Sequence, residues 1–143
     1  MTTGPNGFVA QLVAAVNDHD LEAVVGLFTA DYVNQTPAHP VRGFIGNEQV
    51  RRNWESIFAA VPDLRAVVTA QAVGQGTMWT EWTMDGVRRD GAELHLRGVV
   101  IFTVVDGQAT AARFYLEPLD TGDGDVNAAV GALVQPRHAD ERP

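Results

Sequence analysis

Apolar residues recur at helical spacing in the first part of the chain and at alternating spacing through much of the rest. Leu12, Val13 and Val16 share one face of a helix starting near Asn6, and Leu21, Val24, Val25 and Phe28 one face of a second. Between them Asn17-Asp18-His19-Asp20 breaks the pattern, and Asp20 stands where a side-chain oxygen caps the free amides of the second helix. A strand is expected from near Tyr32, then a turn bracketed by Pro37 and Pro40. Val50, Trp54, Ile57, Phe58 and Val61 predict a third helix after Gly46-Asn47, stopped by Pro62. Extended segments follow at 64–73, 77–87, 92–105 and 108–117, with turn signals at Gly74-Gln75-Gly76, Arg89-Asp90-Gly91 and Asp106-Gly107. Residues 126–134 read as a short helix and 135–143 as a disordered tail.

Consecutive strands joined by tight turns form an antiparallel meander. Val99-Val100-Ile101-Phe102 is apolar on both faces, whereas a sheet wetted on one side would alternate there. One face therefore covers the helices, and the other is expected to meet a second copy of the chain in a homodimer. The fold class is α+β: a cone-shaped, curved, mostly antiparallel sheet against three helices from the first half, with residues 1–134 forming one domain.

Composition narrows the partners. With 143 residues and 45% hydrophobic content, the chain can bury one core. A net charge of −8 repels polyanions, and the basic residues are scattered, so no nucleic acid is expected. The absence of cysteine excludes disulfides, thiolate metal sites and cysteine nucleophiles. The N-terminal MTTGPNG shows no signal segment, and no apolar run approaches the roughly 20 residues of a membrane helix. A cytoplasmic protein with no membrane partner is the expectation. The four histidines show no ligand spacing, so no metal is expected, and no phosphate-cradling glycine loop points to a cofactor.

The N-D-H-D-L break, the G-L-F-T-A-D-Y-V run and the D-G turn ahead of A-A-R-F-Y-L-E-P lie within a helix-helix-strand-helix-meander order. In these the chain resembles the nuclear transport factor 2-like superfamily, and within it the SnoaL-like polyketide cyclases and ketosteroid isomerase-like proteins, from about Phe8 to Leu119. The resemblance implies an apolar cavity that takes a small molecule, commonly in a dimer. It also removes two chemistries. Where ketosteroid isomerases carry a tyrosine, a carboxylate base and a neutral carboxylic acid, this chain has Leu12, Thr36 and Val100. Where limonene epoxide hydrolase-like members carry a last-strand carboxylate, it has Phe114.

Strand parity points Asn34 and Thr36 into the cone, with His39 at its rim. A histidine there titrates near neutral pH and suits acid or base work, although turn histidines are more often simply solvated. Met78, Thr80, Trp82 and Met84 are expected inward, because Glu81 unpaired in an apolar interior would carry a large desolvation cost. By the same argument Ala112, Phe114 and Leu116 face in, and Arg113, Tyr115 and Glu117 face out, with Glu81 and Arg113 pairing. His95 and Arg97 face out unless Gly98 marks a bulge that reverses the strand. The candidate catalytic residues are His39, Asn34 and Thr36, and the candidate ligand-binding residues Asn53, Trp54, Thr80, Trp82 and Phe114. Trp54 fits core packing as well as ligand stacking. The activity implied by the resemblance is cofactor-independent cyclisation or isomerisation of an apolar or polyketide-like molecule. The alternative is a non-catalytic binding dimer using the same pocket.

Overall fold

A computed structural model describes residues 5–136. Helix α1 (Pro5–Asn17) begins with proline, whose fixed φ and missing amide suit a first turn. It buries Phe8, Leu12 and Val16. At its end the Asn17 side chain takes the place of a neighbouring strand: Nδ2 donates to the Ala66 carbonyl at 2.9 Å and Oδ1 accepts from the Ala66 amide at 2.7 Å. His19 then reverses the chain with φ of 53°, and its ring stacks on Phe58 at 4.5 Å. Asp20 caps α2 (Leu21–Val25) by accepting from the Ala23 amide at 3.1 Å.

Helix α2 is only five residues long. Phe28, whose spacing suggested the helix, instead opens strand β1 (Phe28–Gln35), so the strand starts well before Tyr32. Tertiary pairing overrides the local period here. The Leu27 carbonyl accepts from the Ala109 amide at 2.8 Å, and Phe28 lies in register with Ala109 of β6 (Gln108–Pro118). After β1 a 3₁₀ turn (Pro40–Arg42) and a two-residue strand β2 (Phe44–Ile45) lead into α3 (Asn47–Ala60). Strands β3 (Arg65–Gly74), β4 (Thr77–Val87) and β5 (Glu93–Val105) complete a sheet of order β2-β1-β6-β5-β4-β3. Every pairing is antiparallel except that of β1 with β6. The fold is α+β, with a curved, unclosed sheet.

Pairing runs unbroken through Gly98, which faces Trp82 on β4 and Leu116 on β6, so no bulge reverses the strand there. His95 and Arg97 stay on the outer face. Gly98 has a different task. Its φ is 151°, and a Cβ at that point would sit 2.0 Å from the Tyr115 carbonyl oxygen. Register shifts occur instead between Phe28 and Val33, between Val68 and Ala70 and between Thr103 and Val104. Met78, Thr80, Trp82 and Met84 are buried on the inner face together with Val100, Phe102 and Ala112.

On the outer face Trp79 is 45% and Tyr115 41% exposed. Glu81 accepts from the Thr69 hydroxyl at 2.8 Å, and among the described residues it forms no ion pair with Arg113. Glu81 faces Val99 and then Tyr115 across the strands, one pair out of line with Arg113. Helix α4 (Val126–Val134) is capped by Asp125 and stands exposed, Leu133 at 84%. Of the expected tail, residues 137–143 lie outside the described part. Among the described residues no helix is long and apolar enough to cross a membrane.

Candidate functional site

Between β1, α3 and the inner face of the sheet lies a cavity of about 300 Å³, at the lower end of ligand-sized pockets. Its walls are mostly apolar, including Phe28, Phe44, Trp54, Ile57, Leu96 and Phe114. Its polar groups are few: Tyr32, Asn34, Thr36, Arg42, Asn53 and Glu117. Inward alternation along β1 supplies the first two, both buried.

The Tyr32 hydroxyl donates to Asn34 Oδ1 at 2.6 Å. Burial pushes the Tyr32 hydroxyl well above its usual range, so it stays protonated and remains a donor. That bond fixes the Asn34 amide. Its oxygen is occupied, and its Nδ2, which makes no hydrogen bond to the protein among the described residues, is left to donate into the cavity. Asn53 repeats the arrangement nearer the surface, where Oδ1 accepts from Gln49 Nε2 at 2.9 Å. The site is therefore rich in amide donors against apolar walls.

His39 does not line the cavity. Its Nε2 lies 3.1 Å from Glu117 Oε1, with the two side chains 35% and 38% exposed. Glu117, expected outside with Arg113 and Tyr115, is the carboxylate at the cavity mouth. It is next to last in β6, where its long side chain turns round the strand end toward the His39 loop. Thr80 and Trp82 lie beneath the cavity. The Thr80 hydroxyl donates to the Val100 carbonyl at 2.7 Å and accepts from Trp82 Nε1 at 2.7 Å. Trp82 borders a separate void of about 20 Å³, room for little more than one water. The cavity thus unites Asn34, Thr36, Asn53, Trp54 and Phe114 and leaves Thr80 and Trp82 in the core. Tyr32, Arg42 and Glu117 went unnoticed in the sequence. Tyr32 shares the strand parity of Asn34 and was legible; the other two depend on how a loop and a strand end fold over the mouth.

A cone of this kind, open at one end and walled by β1, α3 and β6, has relatives. The sequence matches the model of the SnoaL-like domain over residues 9–112. The chain belongs to the SnoaL-like domain family. Among solved structures, this SnoaL-like chain is similar to a loop-truncation variant of IdmH, with a TM-score of 0.65 and 22% identity over 79% of this chain and 92% of the other. It is similar to AclR, a putative hydroxylase from Streptomyces galilaeus, with a TM-score of 0.66 and 19% identity over 78% and 87% of the two chains. It also resembles an LEH-like epoxide hydrolase of M. tuberculosis, with a TM-score of 0.65 and 16% identity over 77% and 80%. At these identities the likeness is one of fold. No curated protein matches the chain.

Within the SnoaL-like cone, Leu12 and Val100 are core residues, and Phe114 presents its ring to the cavity. Among the described residues no group of three or more histidine, aspartate or glutamate side chains is placed to hold a metal ion. A separate charged cluster occupies the outer face. His95 Nδ1 lies 2.6 Å from Asp85 Oδ1 and Nε2 2.8 Å from Glu93 Oε1, while Arg97 Nη1 donates to Asp85 Oδ1 at 2.9 Å. The Glu93 and Asp85 carboxylates raise the pKa of His95, and the bond to His95 is the main cause holding that of Asp85 low.

Proposed function

We propose that this SnoaL-like protein binds a small apolar, polyketide-like molecule in the cavity and catalyses its cyclisation or isomerisation without a cofactor. The observation that carries this reading is the buried Tyr32–Asn34 hydrogen bond, which holds an amide donor ready in an apolar enclosure. Such a donor, aimed at a substrate carbonyl, stabilises the negative charge that grows on oxygen when a neighbouring C–H bond breaks. The effect is strong because little water competes. Glu117, paired with His39, stands at the mouth to take that proton from carbon and return it to another position. Thr36 and Asn53 add polar anchors, Trp54 and Phe114 supply apolar faces, and Thr80 with Trp82 forms a rigid floor under the site.

The test is turnover of a panel of apolar β-keto and enone substrates. The combined variant Asn34→Ala, Thr36→Val, His39→Ala should lose about 100-fold or more, the scale on which oxyanion donors and general acid–base groups act. Full turnover by that variant would overturn the site assignment.

One feature favours a second reading, a non-catalytic binding protein. The carboxylate on the cavity lining is partly exposed and tied to His39, so no buried base faces the deep end. Stoichiometric binding with no chemical change in the bound ligand would support it. The exposed Trp79 and Tyr115 on the outer sheet face further support a homodimer through that face. The cysteine-free composition supports action in the cytoplasm.

A further inference from the structure

Two charged side chains line the cavity, Arg42 and Glu117. They are not equivalent. Glu117 has a hydrogen-bond partner in His39 Nε2, 3.1 Å away. Arg42 has no ion-pair partner among the described residues, in a chain with 18 acidic and 10 basic residues. Arg51, Arg88 and Arg97 find carboxylates, whereas Arg52, Arg65, Arg89 and Arg113, like Arg42, form no ion pair among the described residues; what sets Arg42 apart is its place on the cavity lining.

The backbone carrying Arg42 is held in place. The Arg42 amide donates to the His39 carbonyl at 2.9 Å and the Gly43 amide to the Pro40 carbonyl at 3.2 Å, with Pro40 opening the turn. Gly43 packs so closely on β1 that a Cβ there would lie 3.1 Å from the Asn34 carbonyl oxygen. The backbone of Arg42 is thereby tethered to the strand that carries Asn34, and its exposed side chain lies on the cavity lining. A planar fork of donors beside apolar walls is suited to a carboxylate that can bind two nitrogens at once.

On the reading that the cavity takes an apolar molecule, we infer that this ligand carries a carboxylate at one end, gripped by Arg42 at the mouth while the apolar body lies inside against Trp54 and Phe114. The ligand class is then an apolar carboxylic acid, entered tail first. The carboxylate stays near water, where its desolvation cost is small, and the body supplies the buried area.

A matched pair of probes tests this by calorimetry: 2-naphthylacetate and the uncharged 2-naphthylacetamide, of nearly the same shape. The wild type should bind the acid about ten-fold more tightly than the amide, a typical gain for one charge-assisted pair. Arg42→Gln should bind the two alike with the amide affinity unchanged, and Arg42→Lys should retain part of the preference. Arg42 makes no side-chain contact that the fold depends on, so thermal melting of each variant should match the wild type. Equal binding of acid and amide by the wild type, or a preference that survives in Arg42→Gln, overturns the role of Arg42 and leaves the cavity reading standing. Binding of neither probe overturns both.

Discussion

Tyr32 and Asn34 show how two adjacent inward positions on one strand divide a task. The tyrosine spends its only proton on the amide oxygen, and the amide becomes a donor of fixed direction. Alternation along β1 makes both side chains inward-facing from the sequence alone, yet only Asn34 and Thr36 stood out there, because tyrosine in a strand reads first as packing. His95 lies at the other extreme, on the outer face, where parity foretold its direction but nothing in the sequence foretold its partners. Its pKa is raised by Glu93 and Asp85, so protonation favours the folded state. That contribution is fully present below the ordinary histidine value of about 6.5 and is lost as pH rises through the higher folded value. Asp85, held low chiefly by His95, works in the opposite sense: its contribution is present above the ordinary carboxylate range and lost as pH falls through its lowered value. Thermal melting of wild type and His95→Gln should therefore differ most near about pH 5.5 and converge toward about pH 9. A difference that stays constant across that range would contradict the assignment.

Among the elements, the strands of the meander were the most legible. The extended segment at 77–87 coincides with β4, and the other three differ from β3, β5 and β6 by a residue or so at an end. Alternation and tight turns are local signals, and antiparallel neighbours are joined by such turns. The start of β1 was not legible, since it depends on β6, and a helical period across Leu21–Phe28 competes with that distant partner. Gly98 was ambiguous for a related reason: a glycine in a strand marks either a bulge or a close approach, and only the partner backbone decides. Here it is a close approach. Gly98→Ala forces a methyl group against the Tyr115 carbonyl at a φ of 151°, and backbone on both strands must move to relieve it. We expect a loss of about 4 kcal/mol or more in chemical denaturation. A loss below about 1 kcal/mol would show that β5 and β6 separate easily.

At the scale of the whole molecule the sheet divides two surfaces with different tasks, a concave one that walls the cavity and an outer one that carries Trp79, Tyr115 and the His95 cluster. If copies pair through the outer surface, Trp79→Asp places a charge in a buried contact and should shift sedimentation to the monomer while leaving ligand binding unchanged. An unaltered dimer would place the interface elsewhere, and a monomeric wild type would remove it.

The parallel pairing of β1 with β6 has one more consequence, in the order of assembly. Gln108 donates to the Gly26 carbonyl across 82 positions of sequence, and His39 meets Glu117 across 78. The cavity is therefore walled by the earliest and the latest strands of the domain. Loop closure over such separations is slow, so the meander can form while the enclosure is still open. Sequence separation alone predicts that the cavity closes last as the chain folds, so a molecule that needs the finished enclosure would arrive too late to guide the earlier steps.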